Sequence, residues 1–365
     1  MAKIIVGMSG GVDSSVAALL LKRQGHDVTG VFMNNWEEQD AGGACTAQED
    51  WDDVRAVCDI IGIPYYSVNY AKEYRERVFE HFLSEYRKMR TPNPDVWCNR
   101  EIKFDTFLRF AESLGADKLA TGHFANLGLG PRGDITLLRA KDENKDQTYF
   151  LYMLGQKALS KALFPVGNLT KAEIRAIAAE AGLPTSSKKD STGVCFIGER
   201  NFREFLKQYI PAQPGDILTR EGKKVGRHEG LMYYTPGQRR GLGIGGGGTG
   251  ERWFVVGKDI ENNVLYVSQG EPEELFTLSA LASEPTWVSG CAPAPEGEWF
   301  PCRVRLRHRQ PLQECTAMQE GGRIHLRFQA KQRAVTPGQA AVLYDGEVCL
   351  GGGTIDADRD ADPAL

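Results

Sequence analysis

The eight cysteines of this 365-residue chain contain no C-x-x-C pair, which argues against a zinc ribbon or a thioredoxin-type couple. No apolar run is long enough to span a membrane. The opening Met1-Ala2-Lys3-Ile4-Ile5-Val6 meets glycine and Asp13 too soon for a secretory leader, so the expected setting is the cytoplasm. Positive charge is not in excess. The net charge is −4, and a polyanionic partner would have to be held by a local patch. There is no internal repeat, and "GIGGGG" is the one low-complexity spot. What remains is ordinary: 41% hydrophobic and 25% charged residues, as in a soluble globular protein of two or three domains. Its thiols are expected to be reduced. Cys58, on a helical face, and Cys302 and Cys349, in strand patterns, read as small buried hydrophobes.

The first half alternates strand and helix patterns. Apolar runs at 3–6, 28–33, 64–68 and 118–121 read as strands. Val54, Val57, Cys58 and Ile61 have helical spacing, and 74–89 and 104–114 also read as helices. This alternation predicts an α/β fold with a parallel sheet covered on both faces, and ligands at the C-terminal ends of its strands. After about residue 210, Pro and Gly punctuate shorter segments. Trp253–Val256 and Val264–Val267 flank "GKDIENN" as a hairpin. From about 275 onward, short strands and turns suggest a small β-barrel or sandwich. The expected division is a catalytic domain over 1–198, a small central domain over 199–272, a β-barrel-like domain over 273–358 and a tail over 359–365.

"GMSGGVDSS" joins the first strand to the first helix. Such a glycine turn offers backbone N–H groups to an anion. It lacks the lysine of an ordinary phosphate loop and carries Asp13 instead, a candidate Mg²⁺ ligand. The turn resembles the PP-loop of ATP pyrophosphatases, which implies a loop that holds a leaving pyrophosphate.

Two cysteines stand apart. Cys98 lies three residues after Asp95 in "RTPNPDVWCNREIKF", read as a Pro-rich loop leading into a helix. Cys195 lies in "KKDSTGVCFIGERNF", where Lys188, Lys189 and Arg200 would raise its thiolate fraction. Asp95 reads equally as an acid–base group or as a turn-stabilising Asp after Asn-Pro. In "PCRVRLRHRQ", strand alternation puts Arg303, Arg305, Arg307 and Arg309 on one face and Cys302, Val304, Leu306 and His308 on the other. "RIHLRF" repeats the pattern, with Ile324, Leu326 and Phe328 inward. With the basic loops "KKVGRH" and "GQRRG", these faces suggest a phosphate-tracking patch.

Nine segments strengthen the resemblance: "GMSGGVDSSVAALLL", "FMNNW", "TPNPDVWCNREIKF", "LATGHFA", "KDQTYFL", "LFPVGNLTKAEIR", "DSTGVCFIGERNFREFL", "YTPGQRRGLGIGG" and "VLYDGEVCLGGGTI". In this order they resemble the bacterial tRNA-specific 2-thiouridylases. The resemblance implies thiolation of the wobble uridine in certain tRNAs, with ATP and a relayed persulfide. It implies that Gly7, Met8, Ser9, Gly10, Gly11, Val12, Asp13 and Ser14 form the nucleotide loop, while Met33 and Gly122 line the adenosine. Asn93, Pro94 and Asp95 would meet the target base. Cys98 would be the nucleophile and Cys195 the persulfide carrier. Lys145, Asp146 and Gln147 would form a tRNA-contacting turn, and Arg307, His308 and Arg309 would meet tRNA from the last domain. His308 stands where many members carry tyrosine. Implied partners are tRNA and a sulfur-relay protein or cysteine desulfurase, acting on a monomer with no membrane association.

Two other readings remain open on sequence. An amidotransferase-type ATP pyrophosphatase acting on a small molecule would share the loop but needs neither the cysteine pair nor a basic β-domain. A nucleotide-sensing module would bind ATP and form no AMP.

Overall fold

The computed structural model describes residues 1–36, 46–190, 202–245, 250–270 and 272–356. The first unit is built on β1 (Lys3–Met8), β2 (Asp27–Asn34), β3 (Tyr65–Asn69), β4 (Lys118–Thr121) and β7 (Ala162–Leu163). They form an all-parallel sheet in the order β3-β2-β1-β4-β7. Central β1 has Ile4, Ile5 and Val6 buried, because a parallel strand covered on both faces reads as an unbroken apolar run. The chain leaves β1 for β2 on one side and returns as β4 on the other. The C-terminal ends of β1 and β4 therefore flank a topological switch point.

Helices cover both faces. α1 (Val12–Arg23) and α2 (Thr46–Ile61) pack Val16, Ala17, Val54, Val57 and Cys58 with Ile174 and Ala178 of the helix Lys171–Glu180. The other face is covered by helical runs over 71–87 and 94–113. Their core, with Phe79, Phe82, Ile102 and Phe107, continues into the later domains through Val255, Leu265, Tyr344 and Cys349.

The central unit is a sheet of β8 (Gly215–Leu218), β9 (Lys224–His228), β10 (Trp253–Asp259) and β11 (Val264–Gln269), ordered β10-β11-β8-β9. The expected hairpin is the antiparallel β10–β11 pair. β12 (Phe276–Trp287), β13 (Phe300–Arg305), β14 (Gln313–Glu320), β15 (Arg323–Arg333), β16 (Ala340–Asp345) and β17 (Val348–Ile355) form a barrel, closed by β12–β17 pairing. The first unit also extends this sheet. Its hairpin β5 (Asn126–Leu129) and β6 (Ile135–Leu138) pairs with β17, Val348 opposite Leu138 and Cys349 opposite Leu137. Two glycines admit β17 to this crowded position. A Cβ on Gly352 would lie 2.1 Å from Ala341 O, and one on Gly351 2.1 Å from Thr286 O. No helix among the described residues is long and apolar enough to cross a membrane.

β15 alternates as expected, with Ile324, Leu326 and Phe328 buried. β13 corrects the expectation of an arginine face. The strand ends at Arg305, so Arg307 and Arg309 lie in the following turn, and Arg305 itself is buried. Alternation assumes one wet face, whereas the outer face of β13 at this point is covered by the first unit.

Candidate active site

The loop between β1 and α1 is shaped by two close backbone approaches. Gly10 has φ +72°, and a Cβ there would lie 2.7 Å from the Asp50 carbonyl oxygen. Gly122, just beyond β4, approaches so closely that its Cβ would lie 2.6 Å from the Ser14 amide nitrogen. Inside the turn, the Ser9 amide donates to Ser14 Oγ at 3.2 Å, and Ser14 Oγ donates to the Gly11 carbonyl at 3.1 Å. Ser15 Oγ donates to the same carbonyl at 2.8 Å and accepts from Thr185 at 3.1 Å. Gly11, the N-cap of α1, makes no side-chain cap bond. The first-turn amides of a helix have no intrahelical partner, and at this switch point they favour an anion.

A lysine from elsewhere in the chain reaches the loop. Lys171 Nζ lies 2.7 Å from Asp13 Oδ1 and 2.9 Å from Asp190 Oδ1. Asp190 is also paired with Lys145 at 2.7 Å and Arg175 at 2.7 Å. Lys171 is the first residue of its helix, fixed by a capping box in which Thr170 and Glu173 satisfy each other's backbone amides. Its own amide donates to Asp142 at 3.0 Å. Burial holds Asp13 above the ordinary carboxylate range, against the pull of Lys171. Burial opposes ionisation of Asp190 too, but Lys145 and Lys171 prevail and bring it to about 2.

Cys98 departs from the loop expected for it. Asn93 caps a helical turn, accepting from the Asp95 amide at 3.2 Å, and Pro94 takes the first helical position. The chain is therefore already helical at Cys98, a residue 1% exposed that belongs to the same buried core as Ile102, Tyr149 and Leu151. From Cys98 to Thr106 the helix is widened to π geometry, a distortion frequent at functional sites. Met33 is half-buried beside the loop, its methyl 3.7 Å from where a Gly7 Cβ would sit. Cys195 and Arg200 lie outside the described residues. Lys188, expected to polarise Cys195, is tied to Asp50 and Asp53 of α2, and Lys189 is exposed.

The expected tRNA-contacting turn is largely committed to the protein. Lys145 pairs with Asp190. Gln147 exchanges two 2.9 Å hydrogen bonds with the Phe124 backbone. Asp146 is 1% exposed and accepts from Arg305 at 2.8 Å, from Thr148 Oγ1 at 3.0 Å and from the Ala140 amide at 3.3 Å. The Asp146 side chain is thus committed to the barrel and to its own turn, so any contact of this turn with RNA would be made by other atoms than its carboxylate. His308 donates from Nε2 to the Asp146 carbonyl at 3.0 Å and packs on Phe150. Arg307 is surface-exposed, with one nitrogen donating to the Ala334 carbonyl and Thr336, and Arg309 is exposed.

A family model described as a tRNA methyl transferase HUP domain matches residues 2–199. A tRNA methyl transferase PRC-barrel model matches 203–269, and an aminomethyltransferase beta-barrel model matches 279–355. The chain is 59% identical over 356 residues to the tRNA-specific 2-thiouridylase MnmA of Alkaliphilus oremlandii, covering 97% of both chains. To its namesake in Bacillus subtilis it is 57% identical over 356 residues, covering 97% of this chain and 95% of that one.

This chain belongs to the tRNA-specific 2-thiouridylase family.

In this 2-thiouridylase, sequence reasoning missed Lys171 and Asp190. A signal for the first was present: "LTKAE" is a capping-box pattern, which places Lys171 at a helix start. His123 was also passed over. It is buried, bonded to Thr121 at 2.7 Å, and its pKa is lowered well below the ordinary value by burial and by Lys103. It is therefore a neutral ring packed beside Phe104 and Phe164.

Proposed function

We propose that this 2-thiouridylase is a cytoplasmic, monomeric tRNA-uridine 2-sulfurtransferase that uses ATP to activate the wobble uridine. The observation that carries the reading is the open first turn of α1 with Lys171 and Asp13 beside it. A uridine 2-carbonyl is a poor electrophile because oxide is a poor leaving group. Attack of its oxygen on the α-phosphorus of ATP makes a phosphate ester and expels pyrophosphate. The loop amides from Gly10 to Ser14, with Lys171, stabilise the departing charge. Gly122 admits the nucleotide against the loop, and Met33 lines the adenosine. Asp13 and Asp190, held by one ammonium, form a hard-oxygen donor pair that suits Mg²⁺, which takes one or two carboxylates plus phosphate oxygens. Mg²⁺ bound there supplies neutralisation of phosphate charge.

Asn93, Pro94 and Asp95 receive the base, and Asp95 exchanges a proton with its ring nitrogen. Cys195 accepts sulfur from a relay protein or desulfurase. In one route the terminal persulfide sulfur attacks C2 and AMP leaves. Cys98 then attacks Cys195 Sγ, the bond to the transferred sulfur breaks, and its electron pair stays with the 2-thiouridine. In the other route Cys98 first liberates hydrosulfide, which attacks C2. Both routes end in a Cys98–Cys195 disulfide, which an external thiol reduces. Arg307 and Arg309 contribute to phosphate binding by the barrel. Because Cys98 is buried, transfer requires the Asn93–Trp97 turn to shift when the base arrives. The test is incubation with ATP, Mg²⁺, a persulfide donor and unmodified tRNA, followed by nucleoside analysis. AMP formation with 2-thiouridine supports the reading; ATP turnover driven by a small metabolite without tRNA replaces it.

A further inference from the structure

The chain between the helical run 71–87 and the base-receiving turn is gripped by all three domains within three residues. It leaves the helix through Met89 at φ 59°, a left-handed conformation that costs a non-glycine residue about 1 kcal/mol or more. Lys258 of β10 donates to the Met89 carbonyl at 3.0 Å. Arg90 forks between Glu85 of its own helix and Asp356 just past β17. Thr91 Oγ1 meets Thr235 Oγ1 of the central domain at 3.2 Å. The Thr91 amide donates to the Pro337 carbonyl at 2.9 Å, and the Thr91 carbonyl accepts from Gln339 Nε2 at 2.7 Å. Gly338 lies flush against the strand, since a Cβ there would come 2.9 Å from both Arg90 Cβ and the Thr91 amide.

Residues 89–91 gain little from this arrangement as a mere connection, because a surface loop needs no such anchoring. The anchors come from the barrel and the central domain. What they hold is the segment leading to Asn93, two residues on, and through it to the turn that buries Cys98. We infer that Met89-Arg90-Thr91 is a positioning strut through which the central domain and the barrel set the Asn93–Cys98 turn, so that tRNA seated on those domains governs access to Cys98. Thr91, Gln339 and Thr235 are positioning residues for sulfur transfer. None of them touches the reacting atoms, and the inference rests on the activity proposed above.

The test compares full-length wild type with Gln339→Leu and Thr235→Val, which remove the barrel anchor and the central anchor separately. Each should keep its melting temperature, ATP affinity and tRNA affinity, and each should lower the single-turnover rate of 2-thiouridine formation by about 10-fold, the scale of one well-placed hydrogen bond. Their effects should combine less than additively, because both act on Thr91. A second readout is the rate of Cys98 alkylation by a maleimide with and without tRNA. Wild type should show a tRNA-dependent change that is absent from both variants. Unchanged rates and unchanged alkylation in both variants overturn the strut, as does a fall in tRNA affinity that accounts for the whole effect. Absence of 2-thiouridine from wild type itself overturns the proposed activity instead.

Discussion

Lys171 and Asp13 are 158 positions apart in sequence and 2.7 Å apart in space. The cation expected inside a phosphate-binding turn has been moved to the start of another helix, where it bridges Asp13 and Asp190. Lys171→Met should therefore reduce AMP formation by about 100-fold or more, the scale of losing one preorganised charge at a developing anion. Lys171→Arg should retain part of it. Asp13→Ala should also abolish AMP formation with the fold intact. Pyrophosphate release at the wild-type rate by Lys171→Met would remove the residue from the machinery.

Arg305 and Asp146 make a different kind of pair, buried between barrel and catalytic unit. Arg305→Met leaves a carboxylate without its main cation and should destabilise the protein by about 3–5 kcal/mol. Denaturant unfolding of Arg305→Met, Asp146→Asn and the double variant should give a destabilisation of the double variant well below the sum of the singles. Additive effects would mean that the two residues act independently.

For RNA, the arginines to test are those left at the surface. Replacing Arg307 and Arg309 by Gln should weaken tRNA binding and flatten the log–log salt slope by about 0.7–0.9 for each phosphate no longer neutralised. ATP affinity should not move. An unchanged slope would make these arginines an ordinary solvated turn.

These reassignments show where the sequence was legible. The parallel sheet could be read because β1 is an unbroken buried apolar run and the short, mostly apolar segments of β2 and β4 alternate with helical patterns. The β10–β11 hairpin could be read from its turn. Arg305 could not, because alternation reports which residues share a face and not what covers that face. The burial of Asp146 was illegible for a related reason: a carboxylate between Lys145 and Gln147 reads as surface until its buried guanidinium partner, from a strand of the barrel, is in place. Lys171 depended on a contact between two helices far apart in sequence that no local spacing encodes, although its capping box was in view.

The two candidate cysteines should be unequal. Cys98→Ser should still acquire a persulfide on Cys195 but fail to complete transfer, whereas Cys195→Ser should carry no productive persulfide. Both should bind ATP and tRNA. Mass spectrometry of donor-treated protein, mapping the added sulfur to a peptide, checks this; sulfur on Cys98 in the wild type would reverse the roles.

Asp190 should leave a mark on acid stability. Its folded pKa of about 2 lies below the ordinary 3.8, so the unfolded chain binds the extra proton between these values. The stabilisation is complete above about pH 4 and is lost as pH falls toward 2. Asp190→Asn should flatten the stability curve in that window, as read by urea unfolding at stepped pH.

The pairing of β6 with β17 bears on how the chain is made. The hairpin that ends at Leu138 emerges from the ribosome long before Val348 and Cys349, its ladder partners. The catalytic sheet can form early, yet one of its appendages waits through the synthesis of two further domains with an open strand edge. Such an edge is a template for pairing with other chains. Translation arrested before the last strand should thus yield a nascent chain with an ordered nucleotide loop and a sticky flank, dependent on holdase chaperones until the barrel closes over it.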